Sequence, residues 1–140
     1  MTTFESQIKT IYAPDQLVFT SLSSFKNFDT IAAEKIKGWE STEDTCRFKV
    51  DKLGEFGLRI VERDPYKTIK IESEGKAPFT FTFWMQLKQM SYNDTRMKLT
   101  IKADLNMMMK MFAQKPLENF INTLADEIAN SFNRMYAQTN

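Results

Sequence analysis

The chain has 140 residues, 19 basic and 18 acidic, for a formal net charge of +1, and it contains no histidine. That length suits a single domain spanning 1–140, and apolar and charged shares of 42% and 26% exclude a disordered chain. The near-neutral balance excludes a concentrated basic face and hence a nucleic-acid partner, while one cysteine and no histidine exclude the usual zinc sites and the usual general base.

Cys46 has no intrachain partner, and Met1 to Ser6 lacks the basic and apolar regions of a signal peptide, so a reducing cytoplasm is expected. No apolar run approaches the roughly 18 residues that span a bilayer. No metal and no cofactor is expected.

Phe4 to Ile11 reads as a first strand, with Phe4 and Ile8 on one face. Pro14 suits a first helical turn and Asp15 its positive end; Leu17, Val18, Ser21 and Leu22 recur at helical spacing. Ser23 or Ser24 caps a second short helix whose stripe is Phe25, Phe28, Ile31 and Ala32. From Lys35 the period becomes two. Strands are predicted at Ile36–Ser41, around Cys46, Phe48 and Val50, around Phe56, Leu58 and Ile60, and around Ile69 and Ile71, with a tight turn at Asp51–Gly54. Phe79, Phe81, Phe83, Met85 and Leu87 then alternate with polar residues, as do Met97, Leu99, Ile101, Ala103 and Leu105 beyond a polar turn at Ser91–Thr95. Together they form a long hairpin with one dry face.

That dry face needs a cover, and Leu117, Phe120, Ile121, Leu124, Ile128 and Phe132 supply the stripe of a long helix over roughly Lys115 to Tyr136. Glu118, Asn119, Asn122, Asp126, Glu127, Asn130 and Asn133 fall on its polar side. Pro116 fits a first helical turn, so Met107–Phe112 is expected to be a separate piece with a break at Lys115-Pro116.

Ile11-Tyr12-Ala13-Pro14-Asp15-Gln16-Leu17-Val18-Phe19, the segment Ser23 to Phe28 and the helix from Pro116 to Arg134 resemble the opening, the second segment and the closing helix of the START-like superfamily, also called SRPBCC or polyketide-cyclase-like. The resemblance covers nearly the whole chain. It implies an α+β helix-grip fold, a curved antiparallel sheet of about seven strands around a long C-terminal helix, with two short helices after the first strand. It also implies ligands such as lipids, quinones or polyketide-like molecules, with cyclase or hydratase enzymes and chaperone activators among the relatives. Ser41 to Thr45 lacks the glycine-rich loop of the plant allergen branch, and histidine-dependent cyclases have no counterpart here.

With Phe at 12 positions and Met at 9, the inner surface is large and adaptable, able to fill a core or to line a cavity. The expected pocket lining is Phe56, Leu58, Phe81, Phe83, Met85, Ile101, Met108, Met111, Phe120 and Leu124, and the same stripe reads equally as close-packed core. The leading expectation is non-enzymatic binding of a small hydrophobic or amphipathic ligand between the last helix and the sheet. A cyclase- or hydratase-type enzyme would need polar groups converging inside, drawn from Glu40, Glu55, Arg59, Glu62, Glu72 and Tyr66. Cys46, on an apolar face with no histidine to activate it, reads as an inert core thiol. An interaction module would instead use Trp84, on a polar-patterned face, and Met107–Phe112, where a gate, a homodimer contact or transient membrane contact are all compatible with the pattern. Trp39 is expected beneath the short helices or at the cavity mouth.

Overall fold

The computed structural model describes residues 1–75 and 77–139, with side chains throughout except at 33, 34 and 136–139. In chain order the elements are β1 (Thr2–Glu5), β2 (Lys9–Ile11), α1 (Asp15–Leu22), a 3₁₀ turn (Phe25–Phe28), α2 (Asp29–Lys35), β3 (Lys37–Ser41), β4 (Thr45–Val50), β5 (Gly54–Asp64), β6 (Thr68–Glu74), β7 (Phe81–Ser91), β8 (Asp94–Ala103) and α3 (Met107–Thr139). One antiparallel sheet runs β1-β8-β7-β6-β5-β4-β3, and β2 pairs with β8 alongside β1.

The expected first strand is two, which makes eight strands among the described residues. Glu5 pairs with Thr100 and Lys9 with Met97, so four steps along one strand oppose three along the other. The extra residue is a bulge, and because side chains alternate with a period of two it inverts the facing of everything after it. Ile8 is therefore 65% exposed rather than sharing Phe4's buried face, and Ile11 becomes fully buried. Ser6 holds the junction: its N–H donates to the Leu99 carbonyl at 2.8 Å and its Oγ accepts from the Leu99 N–H at 2.9 Å. Similar one-residue shifts occur between Lys37 and Glu40, Ile60 and Glu62, and Gln89 and Ser91. Such bulges bend and twist the strands that carry them.

The long hairpin has its expected alternation. Phe81, Phe83, Met85 and Leu87 on β7 and Met97, Leu99, Ile101 and Ala103 on β8 are all buried. Two glycines are required where they stand. Gly54 closes the β4–β5 turn at φ +114°, and a Cβ on Gly57 would lie 2.6 Å from the Glu74 carbonyl oxygen of the neighbouring strand. Ser24 caps the 3₁₀ turn by accepting from the Lys26 N–H at 3.3 Å.

Helix α3 corrects the sequence reading at its start. It runs unbroken from Met107 with Pro116 inside it. Loss of one helical N–H and the clash with the preceding turn normally cost about 3 kcal/mol. Here the leading turns are anchored from both ends. The Asn106 Oδ1 caps the helix by accepting from the Met109 N–H at 2.8 Å, and Ala113 is fully buried just before the proline.

The face that α3 buries is also narrower than its largest residues imply. Ala113, Leu117, Ile121, Ala125, Ile128 and Ala129 are 0–4% exposed, while Phe120, Leu124 and Phe132 are only half-buried. The helix lies against β1, β2 and β8, and alanine at three of these six buried positions leaves room for close approach. Two asparagines from the supposedly solvated face complete the attachment. Asn133 accepts from the Tyr12 N–H at 2.9 Å and donates to the Thr10 carbonyl at 3.0 Å, and Asn122 accepts from the Gln7 N–H at 3.0 Å. Asn133→Ala is accordingly expected to destabilise the fold by about 1–2 kcal/mol in urea denaturation. Asn130→Ala, on the exposed side, should shift it by less than about 0.5 kcal/mol.

Candidate functional site

Where α3 leans away from β3 to β6, the space beneath it is bridged by large side chains instead of alanines. Phe48 on β4 is the centre of that region. Its ring is nearly parallel to Phe120 of α3, with centroids 5.4 Å apart and planes at 7°, and it stacks on Phe56 at 6.0 Å and Trp39 at 6.3 Å. Phe56 in turn meets Phe79 and Phe81 edge-on at 5.4 and 5.7 Å. These offset and edge-to-face contacts are the arrangements aromatic rings prefer, and they form a continuous ring-lined wall.

Against this wall lies a cavity of about 50 Å³. Its lining comes from the sheet (Trp39, Cys46, Phe48, Val50, Phe56, Leu58, Ile71, Phe81, Phe83, Met85, Ile101), from the short helices and the residue after them (Phe25, Phe28, Ile31, Ala32, Ile36) and from α3 (Leu117, Phe120, Leu124). Eight of the ten residues expected to line a pocket are brought together there: Phe56, Leu58, Phe81, Phe83, Met85, Ile101, Phe120 and Leu124. Met108 and Met111 are not. They are 70% and 82% exposed on the outer side of α3, because the helix turns Met109 and Ala113 toward the core instead. With Met107 and Phe112 they form an exposed apolar face away from the cavity.

The sequence reading missed the contribution of the short helices. Phe25, Phe28, Ile31 and Ala32 were legible as an apolar stripe, but nothing in a lone stripe says that it faces a space instead of a neighbour. Trp39 lines the cavity beneath these helices while its Nε1 donates to Asp29 Oδ1 at 2.7 Å. The Ser41 hydroxyl and that indole both donate to Asp29, and together they hold its carboxyl below the usual carboxylate range. Asp29 is thus a fixed anion that locks α2 onto β3, directed at the tryptophan and not into the cavity.

Chemically the lining is almost all hydrocarbon. The Trp39 N–H is engaged, and the one titratable lining group is the Cys46 thiol, which burial pushes far above its ordinary value of 9.0, so it stays protonated. The residues weighed for acid–base chemistry do not converge. Glu40, Glu55, Arg59, Glu62 and Glu72 are exposed on strands, Tyr66 is 40% exposed, and Arg47–Glu55 and Arg59–Glu74 are surface ion pairs. Trp84 lies half-exposed on the sheet's outer face, with the Lys102 ammonium 5.7 Å from its ring centre. Among the described residues no group of three acidic or cysteine side chains is placed to hold a metal ion, and no helix is long and apolar enough to cross a membrane.

The cavity has a mouth. A second space of about 170 Å³ shares Ile31, Ile36, Val50, Phe120 and Leu124 with it, so these five side chains stand between the apolar interior and solvent. The outer rim of that space is charged, with Lys35, Lys37, Lys49, Asp51 and Glu127 around it.

No protein-family model matches the chain, and no curated protein does. Solved structures do. Norcoclaurine synthase from Thalictrum flavum, in complex with dopamine and hydroxybenzaldehyde, is similar with a TM-score of 0.72 at 10% identity, covering 99% of this chain and 88% of that one. A START superfamily protein from Mycobacterium smegmatis gives a TM-score of 0.68 at 14% identity over 95% and 98% of the two chains. A conserved protein from Geobacillus kaustophilus gives 0.65 at 13% identity over 99% and 97%. At such identities the likeness shows the fold alone, which is START-like: an antiparallel sheet closed by one long C-terminal helix, with short helices after the first strands.

Proposed function

We propose that this chain is a non-enzymatic binding protein for a small, ring-bearing apolar ligand held between α3, α2 and β3–β6. The observation that carries the reading is the lining itself, a wall of stacked rings with no ionised group inside and a mouth bordered by apolar side chains. Such a surface gains affinity from buried apolar area, at about 25 cal/mol per Å² before ordering costs, and its ring faces favour planar partners. The fold supports it as well, since START-like neighbours suggest a ligand-binding fold, and the similar norcoclaurine synthase, itself an enzyme, carries dopamine and hydroxybenzaldehyde in its complex. A cyclase-type activity finds no support in a lining without converging polar groups. The lone buried thiol is consistent with a cytoplasmic setting.

Size sets the terms of binding. A cavity of about 150 Å³ is what accommodates benzene, three times the space enclosed here. Occupancy therefore requires Phe120 and Leu124 to swing outward and join the cavity to its mouth. Ala32 is fully buried and lines the same space. Ala32→Leu should fill the space and lower affinity for phenylpropanol by about tenfold or more in calorimetric titration, while overpacking costs about 1–3 kcal/mol of stability. Unchanged affinity in a folded Ala32→Leu protein would place the ligand elsewhere and sink the proposal.

A further inference from the structure

Building on the cavity reading, we infer that the preferred ligand is an amphiphile whose anionic head, a carboxylate in the simplest case, sits at the lysine-bearing mouth while its apolar body enters the ring-lined interior. The division of chemistry between the two spaces carries this. The interior offers hydrocarbon, and all the ionised side chains belong to the mouth.

The mouth favours an anion on balance. Lys37 is already paired with Asp51, its Nζ 3.1 Å from the carboxylate. Among the described residues Lys35, Lys49 and Glu127 make no ion pair, which leaves two ammonium groups against one carboxylate beside the opening. Lys49 is the better positioned of the two. Its Cγ, Cδ and Cε lie 3.5, 3.6 and 3.7 Å from where a Cβ of Gly38 would stand, so its stem lies flat along the bare glycine backbone on the neighbouring strand. A stem packed in this way has less freedom to lose on binding. Lys35 ends α2, whose Ile31 and Ala32 line the interior. One ligand lying across Phe120 and Leu124 would thus have its inner end among the rings and its outer end among the ammonium groups. Glu127, one turn beyond Leu124 on α3, opposes an anion, and it gives the inference a sign that can be tested.

The experiment uses matched probes that differ only in the head: phenylpropanoate, phenylpropanol and phenylpropylamine, with dodecanoate and dodecanol as a longer pair, titrated calorimetrically. Wild type is expected to bind each carboxylate about five- to tenfold more tightly than the Lys35→Ala/Lys49→Met double variant does, with alcohol affinity the same in both. Methionine keeps the stem over Gly38, so this variant retains the packing. Glu127→Gln should raise carboxylate affinity about two- to fivefold, and about 0.5 M salt should erase both effects. If the alcohols bind and the double variant leaves carboxylate affinity unchanged, the head-group inference falls and the cavity reading stands. A preference for the amine, lost in Glu127→Gln, overturns it equally. If no probe binds wild type, the cavity reading fails and this inference fails with it.

Discussion

Replacing Ile121 by alanine is expected to destabilise the protein by about 2–5 kcal/mol. Ile121 is fully buried midway along the gripped face of α3, between Leu117 and Ala125, where close approach of the helix leaves little room for neighbours to collapse into the gap. Against a total stability of about 5–15 kcal/mol this is a large share of what holds the domain together. The comparison that gives the result meaning is Phe120→Ala. Phenylalanine is the larger side chain, yet Phe120 is half-buried at the cavity mouth, and much of what its removal exposes is already bordered by open space. Ile121→Ala should therefore lower the urea midpoint more than Phe120→Ala, with the slope of the transition unchanged for both. The reverse order would mean that the rings around Phe48 carry the grip and that the alanine-lined seam does not. The same seam should reject volume, and Ala125→Leu is expected to cost about 1–3 kcal/mol by forcing the helix off β1 and β2.

How much of this was legible in the sequence depends on whether the information was local. The β7–β8 hairpin and the Leu117–Ile121–Ile128 stripe are periodic patterns, and period alone identified both. The bulge between Glu5 and Lys9 is a different kind of object. It depends on the register of β8, nearly a hundred residues away, and the sequence near Ile8 carries no mark of it, so Ile8 was assigned to the wrong face. The reading of α3 failed at Pro116 because a local rule about proline was outweighed by a cap at Asn106 and burial at Ala113. It also undervalued small residues. Ala113, Ala125 and Ala129 are almost wholly buried and are silent in any hydrophobicity argument dominated by Phe and Leu. The site shows the same division. Expected lining residues on β5, β7 and β8 border the cavity, whereas Met108 and Met111, expected there for their chemistry, are turned outward by the rotation of one helix. The mouth was invisible because Lys35, Lys49 and Glu127 become neighbours only when α2, β4 and α3 meet.

The second large effect concerns Cys46, which reports on the cavity from inside. It is 2% exposed on β4 and lines the same cavity as Phe48 and Phe120. A thiolate there would lose its hydration to hydrocarbon, so the folded protein keeps the proton well above the ordinary thiol value of 9.0. In the unfolded chain the thiol titrates normally. Above about pH 9 the unfolded state thus binds fewer protons than the native state, and stability must fall as pH rises, with a slope that steepens toward about 1.4 kcal/mol per unit. Below the ordinary value both states hold the proton and the term vanishes. Urea midpoints between about pH 8 and 10 should show this decline in wild type and lose it in Cys46→Val, which keeps the site apolar and similarly filled. The same burial makes the thiol a clock for opening. An aromatic disulfide reagent should label native protein at least about a thousandfold more slowly than unfolded protein, because reaction waits for a rare opening. Which opening governs the rate separates a solid core from a working pocket. If α2 and α3 part locally to admit ligand, labelling should be much faster than global unfolding allows, and phenylpropanol should slow it in proportion to the fraction of protein occupied. If labelling instead tracks global stability across the Ile121→Ala and Asn133→Ala variants and ignores phenylpropanol, the rings around Phe48 form a closed core and the proposed binding function fails.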